Sequence, residues 1–169
     1  MSGAGRKIIC HLRKFPLSCA AVEVPDAVLL RPFEDPVDVA GWLRLREVVF
    51  EATSPGVGKW TEHDFVREMS GKAWWRPDHT WVAVEGKHPE SMLGAVTSIL
   101  RSRKGVLVAD VHWLMVHPAW QRRGIGRCLL QQLEQVMWHK GATQLCVETH
   151  RGWESAVRLY ERLGYRARL

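Results

Sequence analysis

The sequence predicts a single α/β domain, and three observations carry this prediction. First, 169 residues fit one ordinary domain with a substantial buried core. Second, a hydrophobic fraction of 46% and a charged fraction of 25% are typical of globular proteins and exclude disordered and fibrous classes. Third, strand-like segments adjoin one another in the middle of the chain, and a β-α-β unit follows them.

The order of the elements follows from apolar periodicity and from the residues that start and stop helices. Pro36 opens the first helical pattern, Thr61 with Asp64 three residues later indicates the start of a second, and Gly141 ends a third. In chain order, we expect a strand at 27–33, a helix at 36–52, a short helix at 61–71, strands at 80–86, 91–101 and 106–116, a helix at about 124–140, a strand at 144–150, a helix at 153–163 and a short strand at 164–169.

The basic balance of the chain indicates an anionic partner. Lys and Arg number 24 against 18 Asp and Glu, which gives a formal net charge of +6. Such a charge suits nucleic acid, a phosphorylated cofactor or a membrane surface, and charge alone does not choose among them. A run of 18 apolar residues, which a membrane span requires, is missing from the sequence.

The cysteines indicate the redox environment of the protein, and the N-terminal residues indicate where the folded domain begins. The four cysteines form no C-x-x-C pair and no His/Cys cluster with zinc spacing, so we expect no metal site and reduced thiols typical of a cytoplasmic protein. Basic residues interrupt any apolar segment that a secretory signal would need. We expect residues 1–26 to form a basic, poorly ordered arm and residues 27–169 to form the domain.

The segment "AWQRRGIGRCLL", residues 119–130, joins a strand to a helix with features of an anion site. A strand that ends at Val116, a bend at Pro118 and a helix that starts near Gly124 bring several free backbone N–H groups to one point. These donors and the positive end of the helix favour phosphate, and a glycine lets the backbone approach it closely. Three basic side chains surround the junction: Arg122, Arg123 and Arg127.

Two common phosphate-binding loops do not match this junction. There is no G-x-x-x-x-G-K-[ST] pattern, and the position of the third glycine in G-x-G-x-x-G is Leu129. Taken alone, Gly124 and Gly126 are equally consistent with a tight strand-to-helix turn.

Two motifs resemble those of the GNAT superfamily of N-acetyltransferases. "LMVHPAWQRRGIGRCLL" resembles the family's acetyl-CoA site, a strand ending in V-x-P followed by [QR]-x-x-G-x-[GA]; Gln121, Arg123, Gly124 and Gly126 occupy it. "ESAVRLYERLGY" resembles the family's A-x-x-L-Y-x-x-x-G-[FY] segment through Ala156, Leu159, Tyr160, Gly164 and Tyr165. The resemblance covers about residues 27–169.

The resemblance implies a fold and an activity. The fold is a GNAT-like mixed, mostly antiparallel central sheet flanked by helices, in one domain. The activity is transfer of the acetyl group of acetyl-CoA to a primary amine, by direct attack in a ternary complex. The residues that would bind acetyl-CoA are Leu114, Met115 and Val116, whose backbone would pair with the pantetheine arm, and Gln121, Arg122, Arg123, Gly124, Ile125, Gly126 and Arg127 at the pyrophosphate.

Two departures from the family pattern stand in the sequence. Trp153 occupies the position where the family usually has an asparagine that contacts the cofactor. The chain ends at Leu169, which leaves little room for the family's final pair of strands.

Tyr160 has two interpretations. It shares an apolar helical face with Trp153, Ala156, Val157 and Leu163, which is typical of a core tyrosine. The resemblance implies instead that it is the general acid that protonates the departing CoA thiolate. A phenol with a pKa of about 10 stays protonated at neutral pH and can donate to that sulfur.

The strand at 106–116 carries a second pair of candidate catalytic residues. Alternation predicts one apolar face, and an opposite face on which Asp110 and His112 interrupt apolar residues. They form either a buried ion pair with Arg101 or Arg103, or a base for the acceptor ammonium, directly or through water, with Asp110 raising the pKa of His112. Glu148 is a third candidate base. The predicted apolar face is Leu107, Ala109, Val111, Trp113 and Met115.

The acceptor cannot be identified from the sequence. The resemblance places it near residues 36–71, where Glu47 or Glu51 would attract an ammonium and Trp60, Trp74 or Trp75 would form an aromatic wall. The nine tryptophans equally suit core packing or a homodimer interface. Two alternatives to an enzyme stay open: a catalytically silent CoA-binding module and a basic nucleic-acid-binding domain, although no nucleic-acid recognition motif is present.

Overall fold

Seven strands and four helices make up the part of the chain that this computed structural model describes, residues 9–17, 21–54 and 56–167. The strands are β1 (Ile9–Lys14), β2 (Val28–Pro32), β3 (Thr80–Glu85), β4 (His88–Arg103), β5 (Val106–Val116), β6 (Gln144–His150) and β7 (Arg166–Ala167). The helices are α1 (Val39–Thr53), α2 (Glu62–Phe65), which continues as a wider turn over Val66–Ser70, α3 (Ile125–His139) and α4 (Glu154–Arg162); short 3₁₀ turns cover Pro77–His79 and Pro118–Trp120.

The strands form one mixed sheet in the order β2-β3-β4-β5-β6-β1-β7. Neighbouring strands are antiparallel except β5 and β6, which run parallel because α3 crosses over between them. The predicted α/β class, with a mostly antiparallel sheet flanked by helices, is confirmed.

The N-terminal segment differs from the prediction. Within the expected arm of residues 1–26, Ile9–Lys14 is a strand that pairs with both β6 and β7. Leu12 is buried in the core, and the Lys14 ammonium lies 2.6 Å from the Glu134 carboxylate on α3. The sequence interpretation weighed the basic charge of this segment and not its alternation. Residues 1–8 of the predicted arm lie outside the described residues.

Two apolar clusters hold the layers together on opposite faces of the sheet. One packs α3 and α4 against the sheet and includes Leu129, Leu133 and Tyr160. The other packs α1 and α2 against the opposite face and includes Trp42, Phe65 and Met115. None of the helices described here is long and apolar enough to cross a membrane.

The start of α1 lies at Val39 and not at Pro36. The Asp38 carboxylate accepts hydrogen bonds from the Arg31 guanidinium at 2.6 and 2.8 Å and from the Glu34 backbone N–H at 2.8 Å. These bonds fold residues 34–38 into a turn that precedes the helix. The predicted start of α2 is confirmed, since Thr61 and Asp64 form a reciprocal capping box.

Strand β5 contains a bulge that changes which residues share a face. Val111 pairs with Ser98 and Trp113 pairs with Thr97, so His112 is an extra residue in β5. Ala109 and Val111 pack on the α3 side, whereas Trp113 and Met115 pack on the α1 side. The prediction of one continuous apolar face from Leu107 to Met115 is therefore wrong, because strict alternation does not anticipate an inserted residue.

Candidate active site

A large cleft opens where β5 and β6 separate. Their parallel pairs run from Val108 with Gln144 to Val111 with Val147, and beyond these pairs the strands diverge. The cleft has a volume of about 1170 Å³ and lies between β5, β6, α4 and the start of α3. Because β4 covers only one edge of β5, the backbone from His112 to Val116 presents its other edge to the cleft.

One end of the cleft is formed by the N-terminus of α3. Gly124 precedes the helix with a φ of +83°, a left-handed conformation that side chains other than glycine rarely adopt. The first intrahelical bond runs from the Cys128 N–H to the Gly124 carbonyl, so the N–H groups of residues 125–127 point out of the helix end. Outward-pointing N–H groups at a helix N-terminus are the geometry that favours an anion.

Gly94 on β4 fixes the position of this helix end, and the sequence interpretation missed it. A Cβ on Gly94 would lie 2.8 Å from the Leu129 side chain, 3.0 Å from the Met115 carbonyl oxygen and 3.1 Å from the Ile125 side chain. The missing side chain therefore lets the first turn of α3 pack directly on β4 and β5. The signal was a glycine inside a predicted strand, which often marks a close approach.

Most of the predicted cofactor residues border the cleft, and Arg123 does not. The Arg123 guanidinium lies 4.7 Å from the centre of the Trp120 ring instead. Arg127 forms an ion pair with Glu23, and the Gln121 side chain donates to the Val116 carbonyl at 3.2 Å. The predicted residues that border the cleft are Leu114, Met115, Val116, Gln121, Arg122, Gly124, Ile125, Gly126 and Arg127.

Tyr160 belongs both to the core and to the wall of the cleft. The residue is only 4% exposed, and its ring lies 5.4 Å from the ring of Tyr165. Burial raises the pKa of the Tyr160 phenol well above its ordinary value. The hydroxyl therefore stays protonated at every physiological pH.

Asp110 is engaged by the two arginines named in the ion-pair interpretation. The Arg103 guanidinium lies 3.0 and 3.3 Å from the two carboxylate oxygens, and the Arg101 Nε lies 3.4 Å from one of them. These contacts give Asp110 a charge-balancing role beside the cleft.

His112 occupies the bulge of β5 and borders the cleft. Its ring lies 4.9 Å from the ring of Trp74 and 5.9 Å from that of Trp113. Part of the ring is exposed, yet desolvation by these neighbours lowers the pKa of His112, and the positive charge of Arg101 lowers it further. The predicted net rise in the pKa of His112 is therefore wrong, because desolvation and the charge of Arg101 set the net shift and the Asp110 carboxylate is paired with two arginines.

Comparison with known proteins decides the family. A sequence model described as "Acetyltransferase (GNAT) domain" matches residues 76–167, more than half of the chain. The chain belongs to the GNAT acetyltransferase family. A mycothiol acetyltransferase of Nocardia farcinica is 28% identical over 142 residues, which cover 84% of this chain and 46% of the relative. The chain thus spans about half the length of the curated relatives that it matches.

Solved structures show the same GNAT fold. A GCN5-related N-acetyltransferase from Sphaerobacter thermophilus superposes with a TM-score of 0.75 at 20% identity, covering 96% of this chain and 50% of that one. An aminoglycoside acetyltransferase from an uncultured soil metagenomic sample, in complex with trehalose, gives a TM-score of 0.64 at 21% identity, covering 84% and 90%.

The far end of the GNAT cleft is bordered by α1, which lies within residues 36–71, the region to which the resemblance assigned the acceptor. Val49, Phe50 and Thr53 line it together with His112 and Trp113. The predicted acceptor residues lie elsewhere: Glu47 forms an ion pair with Lys59, and Trp60, Trp74 and Trp75 belong to the aromatic cluster behind this wall. Glu51, like the other named candidates, does not border the cleft. The helical pattern alone does not show which of its residues face the cleft.

Trp153 and Glu148 border the same cleft on the β6 side. Trp153 is 41% exposed and packs on the His150 ring at 4.9 Å, so it forms part of the open wall at the start of α4. The Glu148 carboxylate is mostly exposed and lies 3.3 Å from the His11 ring nitrogen. The structure thus brings Glu148 beside His112, the other candidate base, at the point where β5 and β6 diverge.

Proposed function

We propose that this chain transfers the acetyl group of acetyl-CoA to a primary amine, by direct attack while both substrates are bound. The observation that carries the proposal is the cleft between β5 and β6. It joins an anion-binding helix end to a pocket that holds a neutral imidazole and aromatic side chains. A long molecule with phosphates at one end and a reactive acyl group at the other fits such a cleft.

The residues along the cleft fit acetyl-CoA. The open edge of β5 at Leu114, Met115 and Val116 offers backbone groups to the pantetheine amides, as in strand addition. The N–H groups at the start of α3, with Arg122 and Arg127, would hold the pyrophosphate.

The chemistry needs a proton acceptor and a proton donor on either side of the reacting carbonyl. Bound acetyl-CoA supplies an acetyl thioester. His112, neutral at pH 7, takes the proton that the acceptor ammonium must lose before its nitrogen attacks, directly or through one water. As the C–N bond forms and the C–S bond breaks, Tyr160 donates its phenolic proton to the departing sulfur, and the second proton that the nitrogen loses on becoming an amide returns to Tyr160 through water. Asp110 is a positioning residue that holds Arg101 and Arg103.

The relatives favour a small acceptor. The curated relatives are named mycothiol acetyltransferases and one structural neighbour an aminoglycoside acetyltransferase, names that refer to small molecules. We therefore place a small amine ahead of a protein amine.

An amine panel that follows release of free CoA tests activity and acceptor together. The panel contains aminoglycosides, polyamines, arylalkylamines, amino acids and peptide N-termini, with a reaction lacking amine as the control for hydrolysis. We expect amine-dependent CoA release with at least one class. Tight acetyl-CoA binding without turnover would indicate a silent CoA-binding module. Absence of CoA binding, together with salt-sensitive binding of nucleic acid, would indicate a nucleic-acid-binding domain.

A further inference from the structure

A second, smaller cavity adjoins the acceptor end of the cleft. It has a volume of about 330 Å³ and lies across β4, β5, β6 and β1. Four residues border both cavities, Val111, His112, Val147 and Glu148. A molecule whose amine lies beside His112 therefore extends into the second cavity without leaving protein contact.

The β4 side of this second cavity carries excess positive charge. Arg101 and Arg103 share the single carboxylate of Asp110, and neither guanidinium has a second acidic partner among the described residues. The side chains of Arg101 and Arg103 are 52% and 41% exposed, so most of their N–H donors are open to a ligand. One net positive charge and several guanidinium N–H donors therefore remain available to an anionic group of a ligand.

The β6 side carries the opposite charge. Glu148 borders the cavity there, and its neighbour across the strand pair is His11, contributed by β1. The second cavity is thus bipolar, with arginines at one side, a carboxylate at the other, and His112 between them on β5.

We propose that the second cavity binds a carboxylate carried by the amine acceptor, with Arg101 as its main partner. The acceptor class is then an amino carboxylate and not a simple amine; this inference rests on the proposed acetyl transfer. A bare ammonium beside His112 meets Glu148 on the β6 side but gives the arginines on the β4 side no anionic partner. A carboxylate on the same molecule supplies that partner, since planar guanidinium groups bind carboxylates with two parallel hydrogen bonds.

Matched acceptors test the inference. We compare kcat/KM, corrected for the fraction of neutral amine, for an amino acid, its amide and the decarboxylated amine: phenylalanine, phenylalaninamide and 2-phenylethylamine, and likewise the lysine series. The carboxylate member of at least one series should exceed its amide by about 10-fold or more, as expected for a charge-assisted pair. Equal values across each series, with amines turned over, would overturn the inference and leave acetyl transfer standing.

Variants assign the effect to Arg101. Arg101→Gln should remove the preference for the carboxylate member, while Arg103 still pairs with Asp110 and keeps the local fold. Arg101→Lys keeps the charge and should restore part of the preference. Arg44→Gln, an exposed arginine on α1, is the matched control and should keep it in full. An unchanged preference in Arg101→Gln would contradict the assignment.

A binding measurement separates this inference from the proposed function. If no amine is acetylated, titration calorimetry of N-acetylphenylalanine and N-acetyllysine in the presence of CoA tests the cavity directly, because these compounds carry the carboxylate and need no reaction. Saturable binding that Arg101→Gln weakens about 10-fold supports the carboxylate site even without turnover. Absence of binding by wild-type protein overturns it.

Discussion

The imidazole ring of His112 lies against the indole ring of Trp74, with 4.9 Å between the ring centres and 64° between the planes. His112 occupies the bulge in β5, whereas Trp74 belongs to the loop between α2 and β3. The contact joins the helical layer to the strand that borders the cleft. Because it removes water from one side of the imidazole, it helps keep His112 neutral at pH 7.

Removal of the His112 imidazole should abolish the acidic limb in the profile of kcat/KM against pH. The neutral form of His112 is the active base, so kcat/KM should fall as the pH drops through its pKa. That limb should lie below the ordinary histidine value of about 6.5, since the pKa is lowered. His112→Gln should lose the limb and about 10²-fold in kcat/KM at neutral pH. A folded variant with the wild-type pH profile and rate would show that His112 is not the base and would favour Glu148 or bulk water.

Removal of the charges beside His112 should shift the acidic limb of the profile of kcat/KM against pH. Loss of the Arg101 charge and loss of the Asp110 charge should shift it in opposite directions. Arg101→Gln removes a positive charge, so the pKa of His112 should rise and the limb should move to higher pH. Asp110→Asn leaves the two arginines without their carboxylate, so the limb should move to lower pH. Profiles of kcat/KM against pH, with Arg44→Gln as the control, measure both shifts. Identical limbs in all proteins would show that the titrating group lies elsewhere.

Tyr160→Phe should slow the chemical step without weakening acetyl-CoA binding. The change removes one hydroxyl from a buried ring and almost no volume, so the packing against Tyr165 is preserved. Loss of a general acid typically costs about 10²-fold in rate. Single-turnover rates and acetyl-CoA affinity are the two readouts. An unaltered single-turnover rate would assign Tyr160 to the core alone.

Lys14→Met should destabilise the fold by about 3 kcal/mol, because it leaves the carboxylate of Glu134 buried without its cation. Glu134 is 3% exposed; Lys14 lies 2.6 Å away, and the Tyr165 hydroxyl donates to it at 3.0 Å. Urea unfolding measures the loss, and Lys87→Met, an exposed lysine, should change stability little.

The stability loss in Lys14→Met should grow with pH. Burial already raises the pKa of Glu134, and loss of Lys14 raises it further. At low pH the carboxyl is protonated in both proteins and the difference is small. As the pH rises through the folded pKa, the variant must bury an uncompensated charge, so the difference reaches its full size at neutral pH. A constant difference between pH 5 and 8 would contradict this.

The junction between β5 and α3 could be predicted from the sequence because its signal is local. Gly124 and the helix that follows it lie next to each other in the chain, so one short segment specifies the geometry. The alternation of polar and apolar residues likewise identified Asp110 and His112. The bulge escaped prediction, because it depends on how Val111 and Trp113 pair with residues of β4.

Contacts distant in sequence account for the other differences. Strand β1 joins the sheet through pairs between Ile9–Lys14 and β6, more than 100 residues away, and through the bond of Lys14 to Glu134. The wall of the cleft at Phe50 depends on how α1 packs over Trp113, with the rings of Phe50 and Trp113 5.6 Å apart. Alternation indicates a strand at 9–14, but local periodicity specifies neither the strand with which it pairs nor the packing of α1 over Trp113.

Titration calorimetry of acetyl-CoA with wild-type protein, Gly124→Val and Gly105→Val is the most direct test that the cleft is an acetyl-CoA site. Both glycines have positive φ, +83° and +78°, so both variants carry similar backbone strain, but Gly105 lies in the β4–β5 turn with nothing within 4 Å of an added Cβ. We expect wild-type protein and Gly105→Val to bind acetyl-CoA alike, and folded Gly124→Val to lose binding because a side chain at the start of α3 hinders close approach of the pyrophosphate to the helix end. Equal binding by all three proteins would contradict the assignment.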